Sequence, residues 1–344
     1  MRILIVEVNW LGDVLVSTPA IKALRGKFPD SFIACLIVPR VKEVLKGNPN
    51  IDRLIVYDEA GLHKGLFGKI GLVRELRENN FDLAVLFHRS FTRAMIVYAA
   101  GIPERLGYST LKRKYLLTKP LPMPDKDSSH RVDYYLDLVK PLGCGTQDRF
   151  YEFFTSADDE EYIESFLERE GIVPGDFVVC LNAGGNWFPK RWPKENFALL
   201  ADRLINEYKA KVIFSGSEQD VELVEEILRQ MTYKPVIAAG YTSLKQSACL
   251  FRKADLLISS DSGPLHIAAG VGANIIGLFG PTSHLVTAPI GKGRISSIHK
   301  DIVCTVPCYD KKCVENKCMW EISVEDVLAE VGNFLGYKMG VPIP

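Results

Sequence analysis

The chain has 344 residues, 47% of them hydrophobic and 24% charged, with Lys+Arg and Asp+Glu both numbering 42. That length accommodates two ordinary domains with sizeable cores. Zero net charge argues against a dedicated nucleic-acid binder, which would be basic overall, though it leaves room for a local basic cleft. No apolar run reaches bilayer-spanning length, and the N-terminus enters a strand pattern without a signal-peptide layout. The expected location is therefore the cytosol, where the eight cysteines should mostly be reduced.

In chain order, "ILIVEV", "FIACLIV", "RLIVYD" and "LAVLF" read as strands separated by helices. "FTRAMIVYAAG" predicts a helix ending on Gly101, and "ERLGYS" a short strand. "SSHRVDYYLDLVKPLG" predicts a helix that starts from a Ser cap and stops at Pro141-Leu142-Gly143. A second series follows "GIVPGD": strands "FVVCLNAG", "KVIFSG", "PVIAAG", "LLISSD" and "NIIGLFG", the first four each followed by a helix. Parallel strands with crossover helices make doubly wound sheets, so the expected class is α/β with two Rossmann-like domains.

The charged, Gly/Pro-punctuated "TSADDEEYIESFLEREGIVPGD" separates the two series. It sets expected domains of 1–155 and 156–322, with 323–344 as a terminal segment. A last helix, about Val324 to Leu335, has no strand after it and is expected to pack back on the first domain. Two such domains facing each other would bring the carboxyl ends of both sheets to one cleft.

The first strand–helix turn, "NWLGDVLVSTP", lacks the glycine triad that cradles a pyrophosphate. It has one glycine, Gly12, and a carboxylate, Asp13, which would repel phosphate at a helix entrance. In the second domain, "LLISSDSGPLHIAAGVGANIIGLFGPT" ends a buried strand at Ser260-Asp261. Ser262 is a natural N-cap, Gly263 admits close backbone approach and Pro264 suits a helix start, so the positive helix end makes an anion site. Gly280 and Thr282 follow the next strand at the same edge. The plain alternative is a well-capped helix.

"LNAGGNWFPKRWPKENF" carries Lys190-Arg191 at that edge, where Lys190 could neutralise a leaving diphosphate; a solvated basic loop is the alternative. "FSGSEQDVELV" offers Glu218 and Asp220 after a strand, the place of ribose-holding carboxylates; Asp220 is preferred, against simple helix capping.

Together "LGDVLVSTPAIKALR", "FDLAVLFHRSFTRAMIVYAAGIPERLGY", "HRVDYYLDLVKPLG", "GGNWFPKRWP", "FSGSEQD" and "SSDSGPLHIAAGVGANIIGLFGPT" resemble glycosyltransferase family 9, the ADP-heptose:lipopolysaccharide heptosyltransferases, in order and over nearly the whole chain. The resemblance implies a GT-B fold, with acceptor in the first domain and nucleotide sugar in the second. It implies inverting transfer without a metal-binding DxD motif, and places Asp13 at the family's proposed base. Inverting transfer needs one base for the acceptor hydroxyl and separate charge stabilisation for the leaving diphosphate, which Asp13 and Lys190 would divide. Asp261, Ser262, Gly263, Gly280, Thr282 and Asp220 would bind the donor. Among the first-domain cations, Arg89, Arg93 and Arg113 would meet an acceptor bearing carboxylates and phosphates, Arg93 foremost. His88 and His130 receive no role, and His266 one of local packing or hydrogen bonding.

The implied partners are ADP-heptose, the lipopolysaccharide inner core and, peripherally, the inner membrane, with no nucleic acid. Competing readings are a glycosyltransferase using another nucleotide sugar, a nucleotide-sugar epimerase, an oxidoreductase and a non-catalytic binder. No catalytic cofactor or metal is required. Cys304, Cys308, Cys313 and Cys318 are spaced C-x3-C-x4-C-x4-C, which leaves structural zinc, reduced thiols and disulfides open. Similar segments occur in family members resembling heptosyltransferase II, which tilts the expectation toward the second heptose transfer.

Overall fold

The computed structural model describes residues 1–125, 129–185, 187–308, 310 and 312–338. The chain divides into two units, Met1–Phe154 and a second from Thr155 onward. In the first, the strands are β1 (Arg2–Val6), β2 (Phe32–Ile37), β3 (Arg53–Val56), β4 (Leu83–Leu86), β5 (Glu104–Tyr108) and β6 (Lys119–Leu121). Its helices are α1 (Leu11–Lys27), α2 (Lys42–Leu45), α3 (Gly65–Glu78), α4 (Phe91–Ala99) and α5 (Arg131–Val139). The second unit begins with α6 (Ala157–Arg169), then β7 (Val178–Asn182), α7 (Lys194–Tyr208), β8 (Lys211–Ser215), α8 (Val221–Leu228), β9 (Val236–Ile237) and α9 (Leu244–Lys253). It continues with β10 (Leu256–Ser260), α10 (Gly263–Gly270), β11 (Ile275–Phe279), α11 (His284–Thr287), β12 (Ile295–His299), α12 (Lys317–Trp320) and α13 (Val324–Lys338).

Both sheets are six-stranded and parallel, ordered β3-β2-β1-β4-β5-β6 and β12-β11-β10-β7-β8-β9. Counted within its own unit, the second sheet follows the same path as the first. Each reverses direction between its first and fourth strands, and there a crevice opens at the carboxyl ends. Register holds apolar residues opposite one another, as at Ile5, Cys35 and Val85. Such strands are buried on both faces, which explains their continuous hydrophobic runs. On one face of the first sheet, Leu72 and Leu76 of α3, Ala94 and Val97 of α4, and Leu116 and Leu117 join Leu4, Val6 and Leu36 in one cluster. Helices α1 and α5, outside that cluster, pack along each other.

Helix α1 tolerates Pro19 in its interior because Thr18 supplies what the proline removes. Proline has no N–H to offer the Leu15 carbonyl, and Thr18 Oγ1 donates to that carbonyl at 2.6 Å instead.

Four local expectations change. The outermost strands β6 and β12 were not legible: β6 has three residues around Pro120, and β12, "ISSIH", carries two serines. Both lie at sheet edges, where proline and polar residues are tolerated. "PVIAAG" shortens to the two-residue edge strand β9. Helix α5 is capped by His130, whose Nδ1 accepts from the Val132 N–H at 3.2 Å, and not by a serine; Ser128 lies outside the described residues. Helix α13 packs within the second unit. Its Val327, Leu328, Val331 and Phe334 sit in the second unit's core, where it packs on α7 and β12.

Candidate active site

In the first unit the crevice between β1 and β4 is a pocket of about 280 Å³. Val8, Asn9 and Trp10 line it from the end of β1, Phe87, His88 and Arg89 from the end of β4, and Asp13, Arg131, Tyr134 and Tyr135 from α1 and α5. Trp10, not Asp13, occupies the N-cap of α1, and it makes no side-chain cap. Asp13 is half-buried in the first helical turn, where the dipole favours its charge. The carboxylate thus faces a pocket with cations Arg89 and Arg131 around it.

Beneath Asp13 lies a carboxyl that sequence reasoning missed. Glu7 is fully buried just past β1. Burial pushes its carboxyl up to about 8, with the Asp13 charge adding in the same direction. Ser17 Oγ donates to Glu7 Oε1 at 3.1 Å and to the Val14 carbonyl at 2.8 Å, and the first contact offsets part of the burial. Glu7 Oε2 accepts from the Val8 N–H at 3.1 Å. Burial outweighs these hydrogen bonds, so Glu7 keeps its proton at neutral pH. The only signal in sequence was an acid at a position where the strand pattern demands an apolar residue.

Two of the three cations expected to meet an acceptor are turned inward. Arg93 is 2% exposed. Its Nη1 donates to the Glu7 carbonyl at 2.5 Å and its Nη2 to Asn9 Oδ1 at 2.6 Å, with Glu59 at 3.7 Å. It ties α4 to the β1–α1 turn, a job set by its burial on the inner side of α4. Arg113 is 0% exposed, stacked over Gly107 with Nη2 donating to the Leu86 carbonyl at 3.3 Å. Arg89 alone of the three reaches the pocket, joined there by Arg131, which the sequence reading left out. His88 Nδ1 accepts from the Ser90 N–H at 2.9 Å, and burial followed by the Arg93, Arg113 and Arg89 charges pushes the imidazole down to about 4, so it is neutral.

In the second unit the corresponding crevice lies between β7 and β10. Asp261, just past β10, is buried and central. Its Oδ2 accepts from Lys190 Nζ at 2.6 Å and Thr282 Oγ1 at 2.6 Å, and His266 Nε2 lies 3.5 Å from Oδ1. Burial works to raise this carboxyl. The His266 hydrogen bond and the Lys190 ammonium outweigh it and hold Asp261 below the usual carboxylate range. Ser262 is the N-cap of α10, with Gly263 first and Pro264 second in the helix, so the backbone N–H groups of that turn are exposed by design. Asn182 Oδ1 and Ser260 Oγ, buried at the ends of β7 and β10, have no hydrogen-bond partner among the described residues. Lys190, Asp261, Thr282 and the α10 entrance are thus brought to one sheet edge.

Other expected donor residues have local jobs. Asp220 closes a capping box, its Oδ2 accepting from Ser217 N at 2.9 Å and Ser217 Oγ at 2.7 Å. Its carboxylate fills the space a Cβ on Gly184 would need, which accounts for glycine there. Met319 and Cys318 occupy the place of the side chain Gly280 lacks, a packing reason for glycine there. All eight cysteines are free thiols. Among the described residues no three of His, Cys, Asp and Glu gather as a metal would require, and no step is derived through one.

Two doubly wound units, one with a carboxylate at its switch point and the other with a lysine and a helix N-terminus, define a GT-B glycosyltransferase. The sequence profile of glycosyltransferase family 9 (heptosyltransferase) matches residues 70–319, and the chain belongs to that family. It is 27% identical over 311 residues to lipopolysaccharide heptosyltransferase 2 of Escherichia coli strain K12, covering 86% of this chain and 87% of that one. The crystal structure of a family 9 glycosyl transferase from Veillonella parvula superposes with a TM-score of 0.88 at 28% identity, covering 97% of each chain. E. coli ADP-heptose lps heptosyltransferase II superposes at 0.79 with 25% identity, over 98% of this chain and 100% of that one.

Proposed function

We propose that the protein transfers a heptose from ADP-heptose to the lipopolysaccharide inner core with inversion. The observation that carries this reading is the opposed chemistry of two equivalent crevices, a carboxylate in a cation-flanked pocket and a Lys190–Asp261 pair at a helix N-terminus. In it, Asp13 removes the proton from the acceptor hydroxyl as that oxygen attacks the anomeric carbon. Glu7, neutral, leaves that charge on Asp13 alone. Arg89 and Arg131 hold acidic groups of the acceptor.

The α10 N–H groups with Ser262 and Gly263 receive the diphosphate, and Lys190 turns from Asp261 toward it as charge builds on the leaving oxygen. Asp261 and Thr282 keep that ammonium in place between turnovers. Asp220, at the end of β8, takes the ribose. No cofactor enters, because the base and the counter-charge are both side chains. We further place the enzyme on the cytoplasmic side of the inner membrane, where such an acceptor is anchored; no helix among the described residues is long and apolar enough to cross a membrane.

The test is ADP release from ADP-heptose with a series of truncated lipopolysaccharide acceptors. Turnover is expected with an acceptor that already carries one heptose. Failure on every acceptor, with donor bound, defeats the substrate assignment, and turnover of a different nucleotide sugar in its place favours the alternative donor.

A further inference from the structure

Helix α4 buries Ala94, Ile96 and Val97 against the sheet. Its other side should therefore be polar, yet that side presents Phe91, Met95 and Tyr98, all exposed, at positions i, i+4 and i+7. The neighbouring helix α3 repeats the anomaly. It buries Leu72 and Leu76, while Leu66 and Phe67 in its first turn are 72% and 88% exposed, and Ile70 one turn later is also exposed. On the other side of α4, the turn at 111–116 buries Leu116 in the same cluster and leaves Leu111 and Tyr115 89% and 77% exposed. Helix α4 packs against both α3 and this turn, so the three elements share one outer face of the first unit. Isolated exposed apolar side chains need no explanation; a run of them along adjoining elements does.

The charge on this face is one-sided. Residues 60–74, 83–103 and 105–124 contain no Asp or Glu, but hold three, two and five Lys or Arg respectively. In a chain whose charges balance overall, that is a strong local excess. Arg93 and Arg113 are spent inside, while Lys64, Arg74, Lys112 and Lys114 are exposed. The flanking Glu75 and Glu104 are paired with Arg53 and Lys119. Cations also sit on the exposed rings, Arg105 over Tyr98 at 5.2 Å and Lys114 over Tyr115 at 5.0 Å. Leucine and phenylalanine tips, tyrosines with polar ends and a lysine border are the composition of a surface that lies in a lipid headgroup region.

We propose that this face, formed by α3, α4 and the 111–116 turn, docks on an anionic lipid bilayer. Helix α4 begins two residues after the pocket-lining Arg89. A bilayer on its outer side thus lies beside the pocket that receives a lipid-anchored acceptor; that link, though not the docking, rests on the function proposed above. Phe67 and Leu66 enter the headgroup layer, and Lys64 and Lys69 meet its phosphates.

The experiment is flotation of the full chain with phosphatidylethanolamine–phosphatidylglycerol vesicles and with phosphatidylcholine vesicles, without donor or acceptor. Wild type is expected to bind the anionic vesicles and to bind the zwitterionic ones weakly. L66S/F67S, which removes two solvent-facing apolar side chains, is expected to weaken binding at least about tenfold. K64E/K69E should abolish the preference for anionic lipid. Circular dichroism and ADP release on a water-soluble truncated acceptor should match wild type for both variants. Wild type left unbound, or L66S/F67S bound as tightly as wild type, overturns the proposal. So does a dimer by sedimentation equilibrium that L66S/F67S converts to monomer, since the face would then belong to a second copy. Vesicle binding needs no transfer, so it stands or falls apart from the substrate assignment.

Discussion

The turns after β1 and β10 border corresponding crevices in two sheets of identical path, one following the first strand of its unit and the other the fourth, and their chemistry is opposite. After β1 stands Asp13, backed by neutral Glu7 and faced by Arg89 and Arg131 across a pocket. After β10 stands Asp261, whose charge is taken up internally by Lys190, Thr282 and His266, beside a helix N-terminus that seeks an anion. Topology determines where a crevice opens; the side chains following the first and fourth strands determine what enters it. One carboxylate lines an open pocket, and the other is consumed in holding a lysine.

The largest effect should come from Asp13→Asn. A positioned base contributes about a hundred- to ten-thousandfold, so kcat for ADP release should fall roughly a thousandfold, about 4 kcal/mol of barrier. Donor affinity, measured by calorimetry, should stay near wild type because the donor crevice lies in the other unit. A folded Asn variant with near-normal turnover would reduce Asp13 to favouring its helix end.

Next is Lys190→Met. It strips Asp261 of its ammonium while the carboxylate stays buried, a change worth about 2 kcal/mol of stability in addition to weaker donor binding. Asp261→Asn in the same chain should return the melting temperature toward wild type and leave turnover low. Recovery of turnover in the double variant would show that Lys190 only balances Asp261.

Much of this contrast was legible in the sequence, for identifiable reasons. Continuous apolar runs revealed the central strands because both their faces are covered, and the Ser262-Gly263-Pro264 entrance is written in residue types that cap helices. Edge strands β6 and β12 were hidden because an edge needs neither hydrophobicity nor every N–H. Arg93 and Arg113 looked like acceptor cations because sequence does not display the partners that draw them inward: the Glu7 and Leu86 carbonyls and Asn9. Asp220 could be placed at the right sheet edge but not separated from its capping box, since ribose binding and capping call for the same residue at the same spot. Glu7 went unnoticed because an acid inside a strand run reads as noise until its burial is seen.

Glu7→Gln tests the one-charge arrangement through stability. A carboxyl titrating near 8 when folded and near 4.5 when unfolded keeps its proton in the native chain across that window, while the unfolded chain has lost it. Stability therefore falls as pH rises from about 4.5 to about 8 and levels off above, by about 1.4 kcal/mol per pH unit within the window. Glutamine has the shape of the protonated acid and no such titration, so urea midpoints of Glu7→Gln should lose that slope relative to wild type, with activity near neutral pH largely kept. Parallel pH profiles for the two proteins would mean that Glu7 is ionised when folded.

The smallest effect separates Arg89 from Arg93, which look alike in sequence four residues apart. Arg89→Glu places a like charge beside the acidic groups of the acceptor at a solvent-exposed position, so screening limits the change to roughly a tenfold rise in acceptor KM. Donor KM should not move, since the donor site proposed above is the second unit's crevice, and added salt should shrink the difference between variant and wild type. Arg93→Glu should behave differently in kind: it removes the donors that the Glu7 carbonyl and Asn9 receive and buries a new anion next to Glu59, so it should lower the melting temperature and impair both substrates' turnover together. If Arg89→Glu raised donor and acceptor KM equally, the pocket after β4 would not be the acceptor's, and the division of labour between the two crevices would fail at its most accessible residue.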